Sequence, residues 1–353
     1  MKNKISKTRF AAKKFCALAI ALILIISQTA CTENQKNNAN TGVSKTGFYL
    51  DTICTITIFG VEDSDDSLST LSDSERETKI LQLITDVFML CDKYEKMLSK
   101  TIETSDIARI NAAGGKAVKV NDETIEVIQK GILYGELSQG AFDITIGKAT
   151  DLWGFREAEA GEETESGMSG QVPDVDTLAE TMKHVDWSKV KIKGNSVQLE
   201  GPGMELDLGG NIVAIGGKAE SLLDTGAEQS KFTIGIKDPQ SESGGLIGTI
   251  PAADKTVVTS GTYERYFVAD GKKYHHILDS KSGMPTDTDV LSVTIISEKG
   301  HSADCDALST SCLALGVEKG MALVQNIADT EAIFVDSDGQ IHMTSEGIGF
   351  EKS

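Results

Sequence analysis

The sequence predicts an α+β fold of mixed sheets and packed helices over residues 46–353, and three observations predict it. Apolar residues recur at helical spacing in two stretches of the first half. From Val190 onward the texture changes to short β-branched runs separated by glycine turns. Strands and helices are interspersed without the regular βαβ beat of a doubly wound sheet.

The chain begins differently. Lys2, Lys4, Lys7, Arg9, Lys13 and Lys14 form a basic head, followed by an apolar run from Phe15 to Ile26, then Ser27-Gln28-Thr29-Ala30 and Cys31. A basic head, a short apolar run and small residues before a cut are the marks of a secretory signal. The run is short of the roughly 20 apolar residues that a membrane span needs. Cys31 directly after the small residues is the expected lipid attachment point, and residues 1–30 read as a signal peptide. This segment resembles a bacterial lipoprotein lipobox, with Gln28 where that box usually has Leu. An uncleaved N-terminal anchor is the alternative. Thr32 to Lys45 is polar and cannot bury enough apolar surface to fold, so residues 31–45 read as a lipid-anchored flexible tether. The expected location is therefore outside the cytoplasm, on a membrane.

Downstream, Phe48 to Phe59 alternates polar and β-branched residues and reads as a strand. Glu62 to Asp73 is an acidic loop. Glu75 to Leu98 carries Ile80, Leu83, Ile84, Val87, Phe88 and Cys91 at helical spacing. Asn121 is placed to cap a second helix, Asp122 to Ser138. Glu157 to Gln171 reads as a solvated insertion. Strands are expected at Val190–Ile192, Val197–Leu199, Phe232–Ile236, Val257–Thr259, Arg265–Val268 and Val290–Ile296. Helices follow from Ser302 to about Leu315 and from Glu318 to Ile327, and a strand at Ile333–Val335 ends the series.

The formal net charge is −19, and without the leader's six cations the rest carries −25. Such a surface repels phosphate backbones, so nucleic acid is excluded as a partner. Any phosphate-bearing ligand must be met by a metal, backbone amides or a single Lys. Of six cysteines, Cys54, Cys91, Cys305 and Cys312 lie beyond the leader and the lipid site. They form no Cys-x-x-Cys pair and have no His partner at zinc spacing. They read as small buried apolar residues, and spacing leaves one disulfide open.

The clearest chemical signal is Ala303-Asp304-Cys305-Asp306-Ala307-Leu308-Ser309-Thr310. On a helix Asp306 and Thr310 share a face, and a carboxylate with a hydroxyl is hard-oxygen chemistry suited to Mg²⁺. Taken alone, acidic capping of a helix start is the better explanation of Asp304 and Asp306, and the metal reading needs the company of other motifs. Other candidates are Gly-Ala-Phe-Asp at Gly140 to Asp143, Leu-Asp-Leu-Gly-Gly at Leu206 to Gly210, and Thr259 to Phe267 with Arg265. The last is His275-His276-Ile277-Leu278-Asp279, running as a strand into the Gly283 and Pro285 turn. In a strand only one of the two histidines can face a pocket.

Taken in order, Thr-Ser-Gly-x-Tyr-x-Arg-Tyr-Phe, His-x-x-Asp-x-x-x-Gly-x-Pro, Ser-Val-Thr and Asp-Ala-Leu-Ser-Thr resemble the ApbE family. The resemblance runs from about Phe48 to Phe350. Members are FAD:protein FMN transferases, often exported lipoproteins, with an ApbE-like, T-fold-related fold. The resemblance implies FAD as substrate, Mg²⁺ as cofactor, and an acceptor protein of a membrane redox complex carrying a Ser or Thr flavinylation site. It implies flavin contacts at Leu50, Ala141, Phe142, Asp143, Asp207 and Leu278. It also implies metal ligation by the Gly210 carbonyl, Asp306 and Thr310, with His276 in transfer. One departure stands out. Family members continue from Asp-Leu-Gly-Gly through Ile-Ala-Lys-Gly and a helix before a second Leu-Gly-Gly-Asn-Ile segment. Here the two glycine segments are fused at Asp207 to Gly217, without that Lys. An FAD pyrophosphatase, a catalytically impaired flavin-binding lipoprotein and an extracytoplasmic binding protein of unrelated ligand are the rival readings.

Overall fold

The computed structural model describes residues 42–49, 52–58, 71–155, 170–208, 232–241 and 243–353. Cys31, Leu50 and Gly210 therefore lie outside the described residues, as do most of the acidic loop, the expected insertion and the fused glycine segment. Among the described residues no helix is long and apolar enough to cross a membrane.

Two strands open the fold, β1 (Val43–Tyr49) and β2 (Thr52–Ile58). They pair with each other, with Ser44 Oγ 2.9 Å from Thr57 Oγ1 and Thr46 Oγ1 2.9 Å from Thr55 Oγ1. This corrects the single strand expected from Phe48 to Phe59. It also draws Val43–Lys45 out of the expected tether. Serine and threonine make the segment look like a linker by composition, yet threonine's branched Cβ suits a pleated strand.

Helix α1 (Asp73–Leu98) starts at a capping box. Ser72 Oγ accepts from the Glu75 amide, and the Glu75 carboxylate accepts from the Ser72 amide at 2.9 Å. It buries Ile80, Ile84 and Phe88, spaced four apart, while Leu83 and Val87 stay partly exposed. Next come α2 (Asp106–Ala112), β3 (Val118–Lys119) and α3 (Asp122–Leu137). Asn121 occupies the N-cap position of α3 but makes no side-chain cap. Its amide side chain instead donates to the buried Asp106 carboxylate at 2.8 Å, beside Thr124 Oγ1 at 2.7 Å. A charged acceptor outcompetes the neutral cap. Gly131 lets Ile144 approach α3, since a Cβ there would meet Ile144 Cγ2 at 2.6 Å.

Two short helices, α4 (Gly147–Trp153) and α5 (Val175–Met182), precede β4 (Val190–Lys193) and β5 (Ser196–Leu199). β3, β5 and β4 form a small antiparallel sheet. The C-terminal half holds β6 (Phe232–Lys237), β7 (Leu246–Ala252), β8 (Lys255–Gly261), β9 (Tyr266–Ala269), β10 (Lys272–His275) and β11 (Val290–Glu298). Helices α6 (Ser302–Leu315) and α7 (Val317–Val324) follow, then β12 (Thr330–Asp336), β13 (Ile341–Met343) and β14 (Glu351–Lys352). The expected last strand is therefore followed by two more. The four-stranded antiparallel sheet runs β13-β12-β11-β8. Alternation sends Val258, Val293, Ile295 and Phe334 toward α6, and Val257, Ile296 and Ile333 toward the core shared with β6 and β7. Burial on both faces explains the near-continuous apolar run of β11. The strand expected across His275 to Asp279 ends at His275, and Leu278 keeps only an isolated bridge to Pro285.

Candidate active site

Helix α6 is apolar or small along almost its whole length and is buried against β8 and β11. Asp306 is 7% exposed on it. Ser309 Oγ donates to the Asp306 carbonyl at 2.9 Å and lies 2.7 Å from Ser260 Oγ on β8. Ser260 Oγ in turn lies 3.3 Å from Thr310 Oγ1. Three hydroxyls thus meet where α6 crosses β8, one turn along from the Asp306 carboxylate. Asp304 does not join them: Lys130 of α3 donates to both its oxygens, at 2.9 and 2.8 Å, and Tyr134 reaches it at 3.3 Å. The two acidic residues that read alike in the sequence have separate tasks. Burial, with the neighbouring Asp304 and Asp306 charges, pushes the Cys305 thiol up to about 12, so it is not a nucleophile at neutral pH.

A second group surrounds Asp207. The Asn111 side chain pairs with the backbone of Leu206 in both directions, at 2.9 and 2.8 Å, as a neighbouring strand would. The Asp207 amide donates to the Ile144 carbonyl at 2.9 Å. These bonds fix the backbone. The carboxylate accepts from Thr150 Oγ1 at 3.0 Å and pairs with Lys100 Nζ at 3.1 Å. Lys100 is 12% exposed and also meets Asp151 and, at 3.5 Å, Glu205. Burial pulls the Lys100 ammonium down, but Asp207 and Asp151 outweigh it and hold it above the ordinary lysine range. Burial likewise raises the Glu205 carboxyl, against the pull of Lys100.

The Gly-Ala-Phe-Asp turn follows α3. Phe142, its amide bonded to Ser138 Oγ at 2.9 Å, packs against both the N-terminal core and the core beneath α6. Ala141 is carried in the same turn by its amide bond to the Ser138 carbonyl. Asp143 is buried, with Oδ1 accepting from the amide and hydroxyl of Thr145 and Oδ2 from the Trp187 amide at 3.0 Å. Burial raises its carboxyl despite those bonds. Its carboxylate thus fastens this turn to the segment before β4. Ser280 Oγ donates to the Gly140 carbonyl, tying the turn to the loop that follows Leu278. Leu278 is buried beside Trp153 and Leu178.

His276 Nδ1 lies 3.2 Å from the Arg265 carbonyl. A carbonyl can only accept, so Nδ1 carries a proton there, and in the neutral ring Nε2 is then the acceptor nitrogen. His275 Nε2 faces the Thr286 carbonyl at 3.2 Å in the same sense, and burial lowers its pKa. As neutral rings the adjacent histidines hold opposite tautomers.

Among the described residues no three His, Cys, Asp or Glu gather at metal-binding spacing. The expected magnesium set contains a single carboxylate, with a hydroxyl and a backbone carbonyl beside it. Asp306 and Thr310 are hard-oxygen donors on one helix, and their chemistry fits a small divalent cation. Sequence motifs mark Asp207, Asp306 and Thr310, whereas the supports Lys100, Asn111, Thr150 and Ser260 emerge only from the structure. Only Ser260 stood inside a recognised motif.

The ApbE family model matches residues 50–212 and 208–334. The chain is 31% identical over 300 residues to the FAD:protein FMN transferase of Treponema pallidum (strain Nichols), covering 74% of this chain and 79% of that protein. It is 35% identical over 283 residues to that of Klebsiella pneumoniae (strain 342), covering 74% and 85%. Among solved structures, the ApbE protein of Thermotoga maritima MSB8 superposes with a TM-score of 0.71 at 25% identity, covering 88% of this chain and all of that one. The apo flavinyl transferase ApbE of Pseudomonas stutzeri, at 24% identity and a TM-score of 0.65, shares the fold over 88% and 97%.

Proposed function

The chain belongs to the ApbE family, and from that premise we propose that it is a magnesium-dependent FAD:protein FMN transferase. The observation that carries this reading is the Asp306 and Thr310 pair on α6, with Ser260 braced against Thr310. Asp306, Thr310 and the Gly210 carbonyl would hold the cation. When bound, Mg²⁺ offsets charge on the diphosphate oxygens of FAD.

The chain's own groups do the rest. Asp207, held by Lys100 and Thr150, is the FAD contact whose direction is fixed before substrate arrives. Leu50, Ala141, Phe142, Asp143 and Leu278 form the flavin side of the site, with Asp143 acting through the turn it fastens. His276, acting from Nε2 in its neutral form, takes the proton of the acceptor Ser or Thr hydroxyl. The hydroxyl oxygen bonds to the phosphorus on the FMN side, the bond from that phosphorus to the bridging oxygen breaks, and AMP leaves. The acceptor is a protein of a membrane redox complex. The enzyme is exported and anchored through lipid on Cys31, on the extracytoplasmic face.

One observation favours a second reading. The two spans matched by the family model overlap at residues 208–212, where the sequence fuses two glycine segments. A chain lacking the intervening Lys would bind FAD more weakly, and would hydrolyse it or hold it without transfer. The test is to incubate the protein with FAD, Mg²⁺ and an acceptor domain and weigh the acceptor. Added FMN mass that disappears with chelator supports transfer. Acceptor of unchanged mass with FMN and AMP released means pyrophosphatase, and intact FAD means the activity is lost.

A further inference from the structure

The four cysteines of the described residues fall into two kinds. Cys305 and Cys312 are 2% and 0% exposed on α6 and seven residues apart, roughly 10 Å along the helix axis, too far to bridge. Cys54 and Cys91 are half-buried, one on β2 and one on α1.

Two contacts and a helical spacing place those two near each other. The Tyr49 ring stacks on Phe88 with centroids 5.1 Å apart, which docks the β1–β2 hairpin on α1. Cys54 Sγ lies 3.8 Å from the Tyr49 carbonyl, at the same docking point. Cys91 is three residues beyond Phe88 on α1, and residues three apart on a helix are surface neighbours. The charge environment agrees. Burial raises both thiols, Cys54 itself adds to the rise at Cys91, and Glu95 acts on both. A metal is a poor occupant, because Glu95 does not complete a metal-holding group with the two thiols among the described residues.

We propose that Cys54 and Cys91 form a disulfide that fastens β2 to α1 once the chain meets an oxidising compartment. The chemistry is thiol–disulfide exchange. One thiolate attacks a protein or small-molecule disulfide and releases one thiol. The other thiolate then attacks the mixed disulfide and releases the second thiol. Two hydrogens leave the cysteine pair and reduce the partner disulfide. Thiols with raised pKa are poor leaving groups, so the bridge belongs to the structural, reduction-resistant kind rather than the catalytic kind. It also keeps the strands next to Leu50 in place independently of any bound flavin, and so stands apart from the transferase reading.

The full chain, purified reduced, is incubated natively with glutathione disulfide. It is then denatured, blocked with light N-ethylmaleimide, reduced, labelled with the heavy reagent and digested for mass spectrometry. Heavy label on Cys54 and Cys91 together, with a linked peptide pair lighter by two hydrogens and light label on Cys305 and Cys312, supports the bridge. In Cys91→Ser no linked pair should form, and before reduction Cys54 should be found as the free thiol or as its glutathione mixed disulfide. Light label on Cys54 and Cys91 in the parent chain, or linkage of either to another cysteine, overturns it.

Discussion

Ser260 Oγ on β8 lies 3.3 Å from Thr310 Oγ1 on α6 and 2.7 Å from Ser309 Oγ. A strand hydroxyl therefore orients the helix hydroxyl that, with Asp306, makes up the proposed cation site. Groups that orient metal ligands typically matter by roughly 10–100-fold in affinity or activity. Ser260→Ala is expected to reduce FMN transfer about tenfold at limiting Mg²⁺, with recovery at high Mg²⁺, because the ligands remain. Asp306→Asn and Thr310→Val should lower transfer more, without recovery. Titrating Mg²⁺ against acceptor mass gain for each variant separates these cases. Equal Mg²⁺ dependence in Ser260→Ala and the parent protein would remove Ser260 from the site.

Lys100 is the next prediction. Its ammonium serves Asp207, Asp151 and Glu205, and only Asp151 is well exposed, at 56%. Removing one partner of a buried ion pair costs about 3–5 kcal/mol. Solvent at Asp151 screens part of that, so Lys100→Met should cost roughly 2–3 kcal/mol. A drop in the urea midpoint at unchanged slope would report it. Lys100→Arg should recover part of the loss, and the KM for FAD should rise in Lys100→Met because Asp207 loses its brace. A midpoint equal to the parent's contradicts this account.

How far the sequence reveals this arrangement depends on which physical signal each residue carries. Helix α6, expected from near Ser302 to about Leu315, spans Ser302–Leu315, because its small and apolar residues end at Gly316, and Asp306 and Thr310 fall four apart on it. β1 was not, because a strand made of Ser, Lys and Thr resembles a linker until its partner is known. The short helices α2, α4 and α5 have seven or eight residues each, too few for periodicity to show. Lys100 was invisible for another reason. Its importance comes from carboxylates 51, 105 and 107 positions away in sequence, at Asp151, Glu205 and Asp207, and no local pattern encodes that meeting. Asn121 was legible in position and misread in role, because its true partner, Asp106, lies on another helix.

Asp143 yields a pH prediction. Burial raises its carboxyl above the ordinary 3.8, partly offset by the Thr145 and Trp187 bonds. A raised carboxyl favours the protonated form in the fold. That contribution is fully present below the unfolded value and is lost as pH rises through the folded one. Asp143→Asn cannot ionise, so the stability difference between it and the parent should move in favour of the variant as pH rises from about 3.8 upward. At every pH the variant also loses part of the acceptor capacity facing Thr145 and Trp187, about 1–3 kcal/mol for groups left unsatisfied. Urea denaturation across pH 3 to 7 gives both quantities. A difference that does not change with pH would mean that the Asp143 carboxyl titrates alike in both states.

The glycine of the His-x-x-Asp-x-x-x-Gly-x-Pro motif makes the last prediction, and it concerns packing rather than chemistry. Gly283 has φ +71°, a region that costs an L side chain roughly 1–2 kcal/mol. A Cβ there would meet Met182 Sδ at 2.7 Å and Leu178 Cδ1 at 2.8 Å. Met182 can swing away, but Leu178 is buried beneath Trp153 and Leu278, so part of the clash stays. The Gly283 carbonyl also accepts from Trp153 Nε1 at 2.8 Å, which couples this turn to the aromatic cluster of Trp153, Phe155, Phe267 and Tyr274. Gly283→Ala should therefore destabilise the protein by about 2–4 kcal/mol, the strain and overpacking together. It should also shift Trp153 fluorescence, measured in a Trp187→Phe background. Because the turn carries Leu278 and Asp279 on its entry side, FAD affinity should fall with the fluorescence change rather than with His276 protonation. An alanine variant with parental melting temperature and emission would show that the motif keeps glycine for a reason other than this turn.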